Sequence, residues 1–135
     1  MFRLDQPVLF KHCDPAGIVF YPRYFEMMND CVEAFFSQVL NWPFQEIHRE
    51  AAVPTAEIRT RFATPSRHGD QLVLSLGVAK VGRTSCALTI AGSCEYEMRF
   101  ETELTLVHVS AEGRSAPWPE EVKARLEQHK ESQEP

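Results

Sequence analysis

The stretch His12–Phe36, HCDPAGIVFYPRYFEMMNDCVEAFF, holds the decisive change of pattern in this chain: an irregular Asp-Pro-Ala-Gly segment runs directly into a long aromatic, amphipathic helix. Pro15 fixes one backbone angle and Gly17 permits conformations closed to other residues, so the Asp14 carboxylate is held at a defined place. Pro22 suits a first helical position, where its missing N–H has no partner to lose, and Tyr21 before it carries one of the unpaired amides of the helix start. With the partial positive charge of the helix end behind it, that amide suits an oxygen that turns negative when a carbonyl is attacked. The spacing predicts a helix from about Pro22 to Leu40. Tyr24, Phe25, Met28, Cys31, Val32, Phe35, Phe36 and Val39 recur at three- and four-residue steps on one broad face, which must be wrapped by apolar surface.

Outward from this helix the pattern changes. A first strand is expected around Val8–Lys11. After a loop broken by Pro43 and Pro54 the period becomes two: Ile58, Thr60 and Phe62 alternate with Arg59, Arg61 and Ala63, and Leu72, Leu74, Leu76 and Val78 line one face. Gly69-Asp70 marks the turn between these runs. A third strand is expected from about Thr84 to Glu97, with Cys86, Leu88, Ile90, Cys94, Tyr96 and Met98 on one side, and a fourth from about Glu103 to Ser110. One long helix followed by consecutive strands, with few residues for crossovers, argues for an α+β fold in which an antiparallel sheet curls around the helix. A terminal helix is expected over about 119–130, with Pro119 at its start, Glu120 and Glu121 in its first turn and Val122 and Leu126 as its stripe. The final ESQEP is expected to fray.

At 135 residues, 44% hydrophobic and 24% charged, the composition is that of one domain spanning 1–135. A formal net charge of -5 argues against a nucleic-acid partner, although a local basic patch still suits one phosphorylated ligand. No stretch approaches the roughly 20 apolar residues that span a bilayer, and MFRLDQPVLF is too polar for a signal peptide, so a cytoplasmic protein without a membrane partner is expected. Cys13, Cys31, Cys86 and Cys94 are dispersed and lack metal-ligand spacing, so neither a metal site nor a disulfide is expected.

Cys13–Phe25 resembles, almost residue for residue, the signature of the 4-hydroxybenzoyl-CoA thioesterase family, hotdog-fold hydrolases of acyl-CoA thioesters. The likeness continues more loosely through Phe62–Leu72, FATPSRHGDQL, and Lys80–Ser85. The resemblance implies a hotdog fold and hydrolysis of an aromatic acyl-CoA to the free acid and coenzyme A. It implies that Asp14 attacks the thioester or activates water, and that the Tyr21 backbone amide forms the oxyanion hole. Gly17 and Thr55 would contact substrate, while Lys80, Arg83, Thr84 and Ser85 would hold the coenzyme A phosphates. No cofactor is implied, coenzyme A being part of the substrate. The implied assembly is a homodimer or homotetramer with the active site between subunits, so that Lys80 and Arg83 serve a neighbour's Asp14. Related acyl-CoA thioesterases of the cell-envelope Tol-Pal cluster carry His where this chain has Tyr21, which favours the aromatic branch.

Competing readings stand beside these. Asp14 also fits a turn aspartate bonding its own backbone, and Lys80–Ser85 a solvated hairpin. Arg59, Arg61, Arg67 and His68 are weaker phosphate candidates. Arg59 and Arg61 alternate with Ile58, Thr60 and Phe62, which are read as core, so at least one of the two is expected to serve only as the polar face of a strand. His12 and His68 read as structural or surface residues. A short- or medium-chain aliphatic acyl group is the first functional alternative, decided by side-chain volume around Tyr21 and Thr55. The second is a noncatalytic protein that binds acyl-CoA or an acyl carrier protein. A dehydratase ranks below both, since it would need a His-centred catalytic loop.

Overall fold

Residues 1–130 are described by the computed structural model, so the ESQEP end lies outside the described residues. In chain order the elements are β1 (Phe2–Pro7), α1 (Pro22–Gln38), α2 (Phe44–Ile47), β2 (Ala51–Ala52), β3 (Thr55–Phe62), β4 (Gln71–Val81), β5 (Ser85–Cys94), β6 (Glu97–Val107), β7 (Val109–Ser110) and α3 (Glu120–Gln128). Five strands form one antiparallel sheet in the order β1-β4-β5-β6-β3, and β2 pairs separately with β7.

The 17 residues of α1 bury Tyr24, Met27, Met28, Cys31, Val32, Phe35 and Phe36. Met27 joins the predicted face, whereas Phe25 and Val39 lie at its margins, half-buried. Opposite it the sheet offers Leu72, Leu74, Leu76 and Val78 from β4, Cys86, Leu88 and Ile90 from β5, and Phe100, Leu104 and Leu106 from β6. Each such side chain contributes about 1.5–3 kcal/mol when withdrawn from water, so this wrapped helix is the main source of stability. Val122 and Leu126 of α3 and Trp118 close one end of the core.

Four expectations are corrected. The first strand is Phe2–Pro7, not Val8–Lys11, because Phe2 through Pro7 match Leu76 through Gln71 on β4, while Phe10–His12 coil into a single 3-10 turn. The Gly69-Asp70 turn exists, with Gly69 at φ 94°, but it joins strands that never pair: β3 lies beside β6 at one edge and β4 between β1 and β5. The third strand stops at Cys94, where Glu95 and Tyr96 take φ values of 51° and 68° and reverse the chain, so Tyr96 and Met98 are exposed. The fourth strand therefore starts at Glu97. Finally, Ile58 and Phe62 are both 44% exposed, since β3 is an edge strand with little beyond it.

Candidate active site

Residues 12–20 fold into a narrow ribbon. Phe20 N–H donates to His12 O at 2.9 Å, Asp14 N–H to Ile18 O at 2.9 Å, and Cys13 pairs with Val19, so Pro15, Ala16 and Gly17 form the tip. Gly17 has φ 81°, a left-handed conformation that disfavours any side chain, and its N–H donates to Asp14 O at 2.9 Å. The half-buried Asp14 carboxylate accepts the Ala16 N–H on Oδ1 at 2.9 Å. This is the local bond that the turn-aspartate reading expects, and it leaves Oδ2 without a protein partner among the described residues.

The ribbon delivers the chain to α1. Tyr21 is the N-cap, with φ -52° and ψ -33° and no side-chain cap, and Pro22 has no N–H to satisfy. Arg23 and Tyr24 donate to Phe20 O and Tyr21 O at 2.8 and 3.1 Å. The Tyr21 N–H finds no acceptor among the described residues, so the donor at the positive end of α1 is the one the sequence singles out. The Tyr21 side chain is 58% exposed and meets Phe20 at 5.6 Å and Phe62 at 6.1 Å between ring centroids. Phe62, which the strand pattern placed in the core, instead gathers Tyr21, Tyr24 and Phe25 into an aromatic wall beside the helix start.

The ribbon rests on the β3–β4 connection. Val19 N–H donates to Ser66 O at 2.8 Å and Ile18 bridges Arg67, while just after β1 the Val8 N–H donates to Asp70 O at 2.8 Å and Val8 O accepts the Gly69 N–H at 2.9 Å. Asp70 braces this connection by accepting the Arg67 N–H at 2.9 Å and Arg99 Nη1 at 2.7 Å, which hold its carboxyl below the usual carboxylate range. Arg99 also donates to Pro65 O at 3.1 Å. On the other side the buried His12 accepts the Leu9 N–H on Nδ1 at 2.8 Å, which fixes its neutral form with the proton on Nε2. Burial, then the charge of Lys11, lowers its affinity for a second proton. Both groups support the ribbon structurally, as the sequence suggests for His12, whereas Asp70 is marked in the sequence only as part of a turn.

Farther along α1 a cavity of ≈ 470 Å³ opens between the helix, α2 and β3. Phe25, Met28, Val32, Phe44 and Ile58 supply apolar walls, with Asn29, His48 and Thr55 as its polar members. Thr55 thus lies on the wall of this cavity.

Lys80, Arg83, Thr84 and Ser85 do form the β4–β5 hairpin, but at the opposite end of the 11-residue β4 from Gln71 and the ribbon, roughly 30 Å away along the strand. Within one subunit they do not meet Asp14. Arg67 and His68 lie beside the ribbon, His68 at 6.0 Å from Phe10. Arg61 pairs with Glu101 at 2.7 Å, and both Arg59 and Arg61 line a different hollow with Glu101 and Glu103. Cys31, Cys86 and Cys94 are buried and Cys13 is half-buried, all as free thiols, with burial pushing Cys31 and Cys86 up to about 12. No helix among the described residues is long and apolar enough to cross a membrane.

A sequence profile described as the thioesterase-like superfamily matches residues 8–126. Curated protein sequences give no match. Among solved structures, a 1,4-dihydroxy-2-naphthoyl-CoA thioesterase from Synechocystis is 19% identical with a TM-score of 0.86, over 93% of this chain and 94% of that one. A gentisyl-coenzyme A thioesterase is 22% identical with a TM-score of 0.85, over 93% and 99%. The dynemicin thioesterase is 13% identical with a TM-score of 0.89, over 97% and 98%. At these identities the likeness establishes the hotdog fold.

Proposed function

The chain belongs to the thioesterase-like superfamily and by that membership is a thioester hydrolase, and from this premise we propose that it cleaves an aromatic acyl-CoA into the free acid and coenzyme A. The observation that carries the reading is that the ribbon bearing the Asp14 carboxylate runs directly into the start of α1, where the Tyr21 N–H is unpartnered among the described residues. As the thioester carbonyl is attacked its oxygen gains negative charge, and the Tyr21 amide with the helix dipole behind it stabilises that oxygen. Asp14 supplies the attack in one of two ways. As nucleophile it forms an acyl–aspartyl anhydride and expels the thiolate, and water then cleaves the anhydride. As general base it takes a proton from water, whose oxygen joins the acyl carbon while the C–S bond breaks. Either way the products are a carboxylic acid and a thiol.

The ≈ 470 Å³ cavity supports an aromatic acyl group, because Phe25 and Phe44 offer ring contacts and Thr55, Asn29 and His48 offer partners for ring hydroxyls. Two fold neighbours named for aromatic acyl-CoA substrates point the same way. Lys80, Arg83, Thr84 and Ser85 hold the coenzyme A phosphates of a site whose Asp14 belongs to a second copy, since their own lies at the far end of β4. The exposed Ile58 and Phe62 on edge strand β3 support a homodimer or homotetramer built in this way. The test is free-thiol release from a panel of aromatic and aliphatic acyl-CoA thioesters. A kcat/KM ranking led by hydroxylated aromatic acyl groups agrees with the proposal; a ranking led by aliphatic chains replaces it with the aliphatic alternative, and binding without release replaces it with a noncatalytic acyl-CoA binder.

A further inference from the structure

Trp118, in the segment that leads into α3, grips the carbonyl side of the Gly82–Ser85 hairpin. Its backbone N–H donates to Arg83 O at 3.2 Å and its indole N–H to Ser85 O at 3.0 Å, while His108 N–H donates to Thr84 O at 2.8 Å. Three successive carbonyls are thereby held by one buried pair, and Ser85 O also accepts the Gly82 N–H at 2.8 Å. The pair is itself fixed. Trp118 is 4% exposed and stacks on His108 at 5.4 Å and 26°, and the His108 Nδ1 lies 2.9 Å from Ala116 O, an acceptor that puts a proton on that nitrogen. By contrast, the N–H groups of Arg83 and Thr84 find no acceptor among the described residues, and the Arg83 side chain is exposed.

A turn whose Arg83, Thr84 and Ser85 carbonyls are engaged while its Arg83 and Thr84 amides are unpaired presents donors, which is the polarity an anion requires. We propose that Trp118 is a positioning residue for coenzyme A: by holding Ser85 O through its indole N–H, it fixes the hairpin so that the Arg83 and Thr84 donors meet phosphate oxygens. The inference rests on the reading of this hairpin as the phosphate-binding segment. Trp118 touches neither the acyl group nor the thioester, so its loss acts on affinity for the phosphorylated part of the substrate.

The experiment compares Trp118→Phe, Arg83→Ala and wild type on an acyl-CoA and on the matching acyl-pantetheine, which lacks the nucleotide. Trp118→Phe keeps a ring against His108 and the backbone N–H, and removes only the indole donor. The expected result is an acyl-CoA KM raised about 3- to 10-fold by loss of one hydrogen bond, an acyl-pantetheine KM close to wild type, and far smaller changes in kcat. If Arg83→Ala shifts the ratio of the two KM values and Trp118→Phe does not, the positioning role fails while the phosphate-binding hairpin stands. If Arg83→Ala leaves that ratio alone, the hairpin reading fails and the inference with it. Equal losses on both substrates would mark Trp118 as a general structural residue and also overturn the proposal. Hydrogen exchange of the Trp118 indole N–H in the wild-type protein gives a second readout that does not depend on a variant folding. Coenzyme A should slow that exchange and pantetheine should not, and equal exchange with both would contradict the inference.

Discussion

Gly92→Ala tests whether the sheet is as tightly closed under α1 as the packing indicates. Gly92 lies opposite Phe100 in the β5–β6 register, and a Cβ built on it would sit 2.2 Å from Phe100 Cε1, 2.5 Å from Cζ and 2.8 Å from Cδ1. Ordinary carbon contacts fall at about 3.5–4.0 Å, so the overlap exceeds roughly 1 Å and is with a ring, not the free end of a flexible chain. Phe100 is completely buried, and the Tyr24 ring lies 4.9 Å away on α1, one turn from Tyr21. The ring has no open space to enter, so the cost belongs at the upper end of the overpacking range, about 2–3 kcal/mol. With a urea slope of about 2 kcal/mol per M this moves the unfolding midpoint down by roughly 1 M. Phe100→Leu added to Gly92→Ala should relieve the clash, making the double variant more stable than the summed single losses by at least about 1 kcal/mol. A loss below about 0.5 kcal/mol for Gly92→Ala, or additive losses, would refute the packing argument.

Tyr21→Pro separates backbone from side chain: φ -52° already suits proline and the N–H it removes has no protein acceptor. Its kcat should fall about 10²- to 10³-fold with little change in thermal stability, whereas Tyr21→Phe should retain kcat within a few-fold; equal kinetics in the two variants would contradict the oxyanion role. Because the folded Asp70 carboxyl is held below its unfolded value near 3.9, its contribution is fully present above about that pH and lost as pH falls through the lower folded value. Asp70→Asn should cost about 1–2 kcal/mol at pH 6 and progressively less toward pH 3, measured by urea unfolding across that range. His12, kept neutral by burial, gives the same sign at higher pH: below about 6.5 the unfolded imidazole takes up a proton that the folded one resists, so acidification destabilises. Replacing His12 by Asn should flatten the stability profile just below pH 6.5.

The long helix was legible because its apolar spacing fills a whole face, and the Asp14–Tyr21 segment because Pro15, Gly17 and Pro22 constrain a short contiguous run. Local chemistry of that kind survives folding unchanged. Strand neighbours were not legible: β3 and β4 follow each other in sequence with a proper Gly69-Asp70 turn, yet the chain crosses the sheet between them. Nothing in the alternation of Ile58, Thr60 and Phe62 says that β3 is an edge strand, where the same pattern leaves apolar groups exposed. The turn at Glu95-Tyr96 was missed because both residues adopt left-handed conformations that Gly or Asn usually signals. The supports of the site were hidden for another reason. Arg99 reaches Asp70 across 29 residues and Trp118 reaches Ser85 across 33, and contacts between residues so far apart in sequence leave no local mark. The cavity at Thr55 and the distance between Asp14 and the Lys80–Ser85 hairpin likewise emerge only from the assembled sheet.

The central claim is that Asp14 performs the chemistry, and it is tested most directly by comparing wild type with Asp14→Asn in thiol release from a hydroxylated aromatic acyl-CoA, alongside direct measurement of substrate binding. The account predicts that turnover falls by at least about 10²-fold, while unfolding midpoint and affinity for the thioester stay near wild type. An Asp14→Asn protein that hydrolyses the thioester at a rate close to wild type would contradict it.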